Sequence, residues 1–299
     1  MNGNSRAVAR AISEVEEGGR KAEEIIDSLY PHTGTAWRIG ITGPPGAGKS
    51  TLTDRLIRLF RTEGKKVAVV AVDPSSSFTG GALLGDRIRM DERTGDDGVF
   101  IRSLAARGAL GGLSEATEGV CDVLDAAGYD IILIETVGVG QGEIDVAETA
   151  DTVCVVLVPE SGDAVQAMKA GLMEIAHIFV VNKADHSEAG LVVKALRQML
   201  DLRKASVRGW DIPVVKTSAT LGEGIQELVD TLTSHRAHLE EDWSFVRMER
   251  LKRRVRKLVE ATWLSDLWSD GRLDRINAQI ERMGTESPEP YALAKKLLE

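Results

Sequence analysis

A glycine-rich stretch between an apolar run and a helical pattern constrains the fold of this chain more than any other feature. Residues 43–50 read Gly-Pro-Pro-Gly-Ala-Gly-Lys-Ser, a complete G-x-x-x-x-G-K-S pattern. The apolar run 37–42 comes directly before it, and the helical pattern 51–57 comes directly after it. This context predicts a phosphate-binding P-loop, because glycines let backbone N–H groups turn towards phosphates and the helix adds its positive end.

The loop predicts a binding site for a nucleoside triphosphate. We expect Lys49 to pair with the outer phosphates and the Ser50 hydroxyl to reach Mg²⁺. A plain glycine-rich turn is the alternative, and the full motif in its full context argues against it. The residues expected to surround the phosphates are Gly43, Pro44, Pro45, Gly46, Ala47, Gly48, Lys49, Ser50 and Thr51.

Short apolar runs alternate with helical patterns from residue 36 onwards. Runs without polar alternation indicate strands that are covered on both faces, and strands that alternate with helices indicate a parallel sheet. We therefore predict a doubly wound, mostly parallel α/β domain of the P-loop NTPase kind over 36–238. The runs after the one at 37–42 are 66–72, 99–104, 131–134, 152–158, 178–181 and 212–215.

Helical additions are predicted on both sides of this domain. Residues 1–35 are predicted to form an N-terminal helical extension that is broken or bent at Gly18-Gly19. Residues 239–299 form a C-terminal helical arm, with apolar and aromatic residues at helical spacing over 243–268. An arm of so few helices is too small to form a hydrophobic core of its own. Its apolar face therefore needs another protein surface to pack against. We expect a homodimer through this arm; packing against its own main domain is the alternative.

Charge and composition exclude several classes of protein. The formal net charge of −9 argues against nonspecific nucleic-acid binding. The seven Lys/Arg residues between Arg247 and Lys257 indicate either a solvated helix face or a contact with an acidic partner surface. No run approaches the ~20 apolar residues that span a bilayer, and the N-terminus has no secretory pattern.

The two cysteines are interpreted as reduced, which fits a cytoplasmic protein. The five histidines lack metal-ligand spacing, and we expect His235 and His238 to be solvent-exposed.

A second motif identifies the base of the nucleotide. Residues 182–185 read Asn182-Lys183-Ala184-Asp185 directly after the run 178–181. The Asp185 carboxylate can accept both the ring N1–H and the exocyclic amino group of guanine, which adenine cannot match. Asn182 is expected to support the loop and contact the base edge, and the Lys183 stem to cover the ring. The second base-contacting loop is predicted at Ser218, Ala219 and Thr220.

Carboxylates are predicted on the phosphate side of the sheet. The run 131–134 ends in Glu135, which would hold Mg²⁺, and the Gly138 N–H is expected to contact the γ-phosphate. Asp73 closes the strand 66–72 and belongs to the same edge of the sheet. Asp86 follows a polar stretch that is a candidate switch segment. Helix capping or turn formation is the alternative for both aspartates.

The segment after Glu135 lacks a residue for fast hydrolysis. Small GTPases of the Ras type carry a glutamine after the strand-end glycine, where it orients the attacking water. Here that position is Val139, and Gln141 lies two residues further on. We therefore expect slow intrinsic hydrolysis that a partner protein completes.

A longer pattern resembles one family. It consists of Val72-Asp73-Pro74-Ser75-Ser76, Thr79-Gly80-Gly81, Leu84-Gly85-Asp86-Arg87 and Met90, with Glu135-Thr136-Val137-Gly138-Val139-Gly140-Gln141 and Gly162-Asp163. The chain is similar in these motifs, and over nearly its whole length, to the MeaB-type (ArgK-type) P-loop GTPases of the G3E group. It departs at Pro159-Glu160-Ser161-Gly162-Asp163, where the family more commonly has Pro-Gly-x-Gly-Asp.

The resemblance implies a GTPase chaperone for an adenosylcobalamin-dependent acyl-CoA mutase, typically methylmalonyl-CoA mutase. Such proteins gate cofactor loading, protect or reactivate the mutase, and are homodimers through the C-terminal arm. By this resemblance Lys49 acts on phosphate, and Ser50, Asp73, Asp86 and Glu135 surround the metal. Residues 159–172 would form a third switch, with Asp163 and Lys169 taking part.

Two other functions compete with this interpretation. A nickel-insertion GTPase shares the fold group but usually carries histidine-rich or cysteine-bearing metal sites, which this sequence lacks. An ATPase or kinase linked to basic amino-acid transport requires adenine, against which Asn182-Lys183-Ala184-Asp185 argues.

Overall fold

Seven parallel strands form the central sheet of the protein. The computed structural model describes residues 5–73, 96–105, 112–136, 142–159, 171–203, 206–207, 209–269 and 271–283, with 291 and 295. The strands of the sheet are β1 Trp37–Thr42, β2 Val67–Asp73, β3 Val99–Ala105, β4 Ile131–Thr136, β5 Thr152–Leu157, β6 Ile178–Val181 and β9 Val214–Lys216. Their spatial order is β3-β2-β4-β1-β5-β6-β9. The predicted doubly wound parallel sheet is confirmed.

Burial explains why these runs are strands. Every residue of β1, β4, β5 and β6 is buried, which requires helices on both faces of the sheet. The last strand begins at Val214, two residues later than its apolar run, after Pro213, which has no N–H to give to a ladder. A short antiparallel hairpin, β7 Ser206–Val207 and β8 Trp210–Asp211, was not predicted.

Helices cover the sheet and continue beyond it. Ile39 of β1 packs with Leu52 and Leu228 on one face, and Ile132 of β4 packs with Leu124 and Ile12 on the other. The helices are α1 Ser5–Glu17, α2 Arg20–Leu29, α3 Lys49–Thr62, α4 Gly112–Ala126, α5 Gly142–Thr149, α6 Leu172–Ile175, α7 Ala189–Arg203, α8 Ile225–Glu240, α9 Trp243–Ser269 and α10 Arg272–Met283.

The N-terminal extension is two helices broken where the sequence predicts. Gly18 and Gly19 separate α1 from α2, and both have φ values, 73° and 76°, in the left-handed region that favours glycine. Val15 packs so closely on α4 that a Cβ at Gly119 would lie 2.7 Å from its Cγ1. Arg102 on β3 donates to Glu16 on α1. These contacts join the extension to the core of the sheet.

The chain divides into two units, Met1–Trp243 and Ser244–Glu299. The second unit contains α10 and all of α9 after its first residue, and it exposes apolar side chains along α9, among them Val259 at 62% and Trp263 at 61%. Helix α9 covers the range 243–268, over which the sequence has apolar and aromatic residues at helical spacing. None of the helices in the described part of the chain has the length and apolar character needed to cross a bilayer.

The prediction that His235 is solvent-exposed is wrong. Its side chain is 1% exposed and its Nδ1 lies 2.8 Å from Thr152 Oγ1, which also accepts a hydrogen bond of 2.9 Å from Trp37 Nε1. The His177 ring lies 4.6 Å from the His235 ring, and Trp210 covers it edge-on at 4.9 Å. Helical spacing placed His235 on the buried face of α8, and the unpredicted hairpin supplied Trp210 as its cover.

Burial makes His235 a source of acid sensitivity. Desolvation, followed by the imidazoles of His177 and His238, lowers the pKa of His235 from 6.5 to about 3. A histidine with a lowered folded-state pKa contributes stability above its unfolded pKa, and this is lost as the pH falls towards the folded value. We expect the free energy of unfolding to fall below about pH 6.5, by at most ~1.4 kcal/mol per pH unit from this residue.

His235→Asn should flatten this dependence, since asparagine can bond Thr152 but cannot titrate. Urea unfolding between about pH 7 and pH 5 measures it. The same substitution at exposed His32 is the control and should leave the slope as in the unchanged protein. An equally steep slope in His235→Asn would contradict the assignment.

Candidate nucleotide-binding site

The parallel sheet brings the predicted site residues to one edge. Gly43 follows β1, Glu135 lies one residue before the end of β4, and Asn182 follows β6. Asp73 ends β2, whose Ala71 pairs with Glu135. Because the carboxyl ends of parallel strands share an edge, the phosphate, metal and base motifs converge there.

The P-loop is closed by its own lysine. Lys49, the first residue of α3, is 6% exposed, and its Nζ donates to the carbonyls of Gly43 at 2.7 Å and Pro44 at 3.0 Å. Gly43 has φ 137° and lies so close to β5 that a Cβ there would be 2.1 Å from the Val156 carbonyl oxygen. Gly48, at φ 83°, turns the chain into α3. The ammonium is therefore held at the loop where outer phosphates are expected.

Glu135 is a buried carboxylate held by two hydroxyls of α3. It is 2% exposed; Ser50 Oγ donates to one carboxylate oxygen at 2.5 Å and Thr53 Oγ1 to the other at 2.9 Å. The structure thus brings the two predicted metal residues, Ser50 and Glu135, into contact. Sequence reasoning missed Thr53, which lies one turn after Ser50 and faces the same strand. Its spacing of three residues was the available signal.

Asn182 joins the P-loop to the second base loop. Its Nδ2 donates to the Ala47 carbonyl at 2.8 Å, while its Oδ1 accepts from the Ala219 N–H at 3.1 Å and the Thr217 hydroxyl at 3.1 Å. The side chain is 2% exposed, and a Cβ at Gly48 would lie 2.4 Å from its Nδ2. These contacts realise the predicted support of the loop. The predicted contact of Asn182 with the base edge stays a prediction.

Asp185 and Ser218 come together from different motifs. Ser218 Oγ donates to Asp185 Oδ1 at 2.7 Å, and this bond, followed by a backbone hydrogen bond and the nearby His186 and Lys183 charges, lowers the pKa of Asp185. The carboxylate is therefore ionised at neutral pH and can accept hydrogen bonds. Lys183 is the one non-glycine residue with positive φ in the described part of the chain, at 55°. That turn presents Asp185 beside Ser218.

Sequence reasoning also missed Arg55. This residue of α3 donates from Nε to the Ala219 carbonyl at 2.8 Å and from Nη2 to the Thr220 carbonyl at 2.6 Å. No motif marks it, because its partners are main-chain oxygens 164 and 165 positions away in sequence.

Several predicted residues lie outside the described structure. They are Asp86, Gly138, Val139, Gln141, Asp163 and Lys169, and the side chain of Asp73 likewise is not described. Within the described residues, no three His, Cys, Asp or Glu side chains lie close enough together to hold a metal ion. Of the four predicted metal residues, the structure describes the side chains of Ser50 and Glu135.

The P-loop, the carboxylate that contacts it and the guanine-reading loop define a P-loop GTPase. The family model described as "Methylmalonyl Co-A mutase-associated GTPase MeaB" matches residues 6–272. The chain belongs to this MeaB family, as its sequence motifs predict.

Relatives across archaea and bacteria are also named GTPases. The chain is 49% identical to "Putative GTPase PYRAB02490" of Pyrococcus abyssi, over 99% of this chain and 93% of that protein. It is 34% identical to "GTPase ArgK" of Escherichia coli, over 93% of this chain and 86% of that protein. A mouse relative, "Methylmalonic aciduria type A homolog, mitochondrial", is 41% identical over 71% of this chain and 51% of its own length.

A solved structure has a similar fold. The "LAO/AO transport system kinase" structure has a TM-score of 0.71 and 27% identity, covering 98% of this chain and 97% of that chain. Its likeness therefore includes residues of both units of the chain.

Asn182→Ala should destabilise the folded protein. It removes the partners of two buried main-chain groups, the Ala47 carbonyl and the Ala219 N–H, at a cost of about 2–4 kcal/mol in the free energy of unfolding. Urea unfolding without nucleotide measures this cost. Asn277→Ala, at an exposed position of α10, is the control and should change stability by less than about 0.5 kcal/mol. Equal stabilities for the two variants would refute the bridging role.

Proposed function

We propose that this GTPase serves an adenosylcobalamin-dependent acyl-CoA mutase of the methylmalonyl-CoA mutase type. In this role it gates loading of the cofactor and protects or reactivates the mutase. The carrying observation is the family match over residues 6–272, whose description names a mutase-associated GTPase. The name of the mouse relative, with methylmalonic aciduria in it, supports the same partner.

The site geometry supports a proposed role for named residues in binding each part of the nucleotide. Lys49 and the main chain of 43–51 take the phosphates, and Asp185, ionised and held by Ser218, accepts the two guanine N–H groups. The loop 218–220 forms the other side of the base pocket. Guanine carries the donor pair that a fixed carboxylate requires, and adenine presents no such pair.

The residues present fit a magnesium ion. Mg²⁺ prefers oxygen ligands and is bound by few protein groups plus phosphates. A serine hydroxyl has one proton and two lone pairs, so Ser50 can donate to Glu135 and still offer a lone pair to the metal. Asp73 and Asp86 complete the proposed set. When bound, the ion would neutralise charge on the β- and γ-phosphates.

A partner protein reads the nucleotide state in this proposal. The segments 73–90, 137–146 and 159–172 follow strand ends or the carboxylate motif and would be ordered by GTP and Mg²⁺. Val139 stands where a water-orienting glutamine is found in Ras-type GTPases, so intrinsic turnover would be slow and the mutase would raise it. Homodimers would form through the arm 239–299, whose apolar side chains are exposed in the second unit.

Two alternative functions are distinguishable. Nickel insertion is suggested by the fold shared with "HypB from Helicobacter pylori in complex with nickel", which has a TM-score of 0.51 at 18% identity, a likeness of fold alone. A transport-linked kinase is suggested by the name of the similar solved protein, "LAO/AO transport system kinase". Nickel binding by the purified protein would favour the first, and a preference for ATP over GTP would favour the second.

Asp185→Asn should change the base preference of the site from guanine to xanthine. The asparagine amide donates to the C2 oxygen of xanthine, whereas it opposes the guanine amino group with a second donor. We expect GTP affinity to fall at least about a hundredfold and xanthosine triphosphate to bind in its place. Asp201→Asn, at an exposed position of α7, is the control. Retained GTP affinity in Asp185→Asn would rule out the base-reading role.

Adding the mutase should change both turnover and association. We expect a GTP-dependent complex on size-exclusion chromatography and an increase in turnover of about tenfold or more. Lys49→Ala should abolish the nucleotide dependence, whereas Lys65→Ala, at an exposed position, should retain it. Unchanged turnover together with no complex would remove the mutase from the proposal and leave the GTPase assignment intact.

A further inference from the structure

Arg55 connects the helix that follows the P-loop with the loop expected to hold guanine. It lies six residues after Lys49 on α3, between the buried core positions Leu52 and Leu56. Its guanidinium reaches two consecutive carbonyls, Ala219 through Nε at 2.8 Å and Thr220 through Nη2 at 2.6 Å. The guanidinium holds the two successive peptide oxygens with two nitrogens in one rigid plane, whereas a lysine offers a single nitrogen on a flexible stem.

The loop that Arg55 holds is also shaped by its own backbone hydrogen bonds and by two glycines. It turns back on itself through a bridge between Ser218 and Glu223, and Gly222 sits at φ 79° with its Cβ position 3.7 Å from Arg55 Nη1. Gly224 then starts α8, in a place where a Cβ would lie 2.0 Å from the Lys216 carbonyl oxygen. Between these two ends, the carbonyls of Ala219 and Thr220 are fixed by α3.

Ala219 is held from both sides. Its N–H donates to Asn182, which itself donates to Ala47 of the P-loop, and its carbonyl accepts from Arg55. The phosphate loop and its helix therefore fix the second base loop at two points, one through a buried amide and one through the guanidinium. Asp185 depends on this loop as well, because its hydrogen-bond donor is Ser218, the neighbour of Ala219.

We propose that Arg55 is a positioning residue for guanine recognition, one that sets the affinity for the base by fixing loop 218–220 on α3. In this proposal Arg55 acts through the carbonyls of Ala219 and Thr220 and not on the nucleotide directly. Its loss would leave the phosphate contacts of 43–51 in place and let the base loop drift from Asp185. The inference rests on the guanine loop being at 182–185 and 218–220, and it is independent of the identity of the partner protein.

Arg55→Met tests this on the full chain, since methionine retains an apolar stem and removes all donors. We expect a fluorescent GDP analogue to dissociate about tenfold faster or more, as two charge-assisted hydrogen bonds are lost. KM for GTP should rise with kcat nearly unchanged at saturation. Binding of inorganic tripolyphosphate with Mg²⁺ should remain as in the unchanged protein. Arg55→Lys should show a smaller change in the same direction.

Arg58→Met is the matched control. Arg58 lies on the same helix, is exposed, and pairs with Asp54 one turn away at 3.1 Å. It should release GDP at the rate of the unchanged protein. If Arg55→Met does not fold, the same measurements of nucleotide release and tripolyphosphate binding on Arg55→Lys test the proposal instead.

An unchanged rate of GDP release in Arg55→Met would overturn the inference. A loss of tripolyphosphate affinity as large as the loss of GDP affinity would overturn it too, because the substitution would then act at the P-loop. A lower melting temperature with unaltered nucleotide affinity would show a purely structural role and overturn it too. Failure of the base-loop assignment is separate: there the unchanged protein would bind GDP no better than ADP.

Discussion

The parallel register of the central sheet is the constraint on which the site depends. Ile41 of β1 and Ala71 of β2 both pair with Glu135 of β4, so the P-loop, Asp73 and the buried carboxylate leave the sheet at the same level. Val181 of β6 pairs with Lys216 of β9, which aligns the two base loops in the same way. Shifting one strand by a single residue would turn its side chains to the other face of the sheet, and the site residues would no longer lie together.

Helix α3 then converts this alignment into a single rigid site. Its first turn supplies Lys49 to the P-loop and Ser50 to Glu135, its second turn supplies Thr53 to the same carboxylate, and Arg55 reaches the base loop. A buried carboxylate is costly unless hydrogen bonds compensate it. The two hydroxyls provide that compensation and at the same time tie α3 to β4. The same contacts thus stabilise the fold and hold the two predicted metal residues, Ser50 and Glu135, together.

The sequence was sufficient for the sheet, the P-loop and the guanine motif, because each is encoded locally. Apolar runs specify strands covered on both faces, and Gly43 and Gly48 occupy positions where the backbone itself demands glycine. Arg55 could not be predicted, since its partners are main-chain carbonyls far away in the chain. His235 was wrongly predicted as exposed because its polar side chain was set apart from the apolar positions of α8, such as Leu228 and Leu232, whose spacing it continues. Its cover, Trp210, belongs to a hairpin with two-residue strands that no apolar run announces.

Polar residues have different environments at the two edges of the sheet. At the carboxyl edge, the predicted nucleotide-binding residues Asp185 and Lys49 are held by hydroxyl and main-chain contacts. At the amino edge, Trp37 begins β1 and Thr152 begins β5, and their hydrogen bonds lead inwards to His235. A neutral imidazole suits that place because the Thr152 hydroxyl, which accepts from Trp37, still has its own proton to donate. Substitutions at the amino edge should therefore alter stability and its pH dependence with little effect on nucleotide affinity, whereas those at the carboxyl edge should alter nucleotide affinity, with or without a loss of stability. The contrast between His235→Asn and Arg55→Met tests that division within one fold.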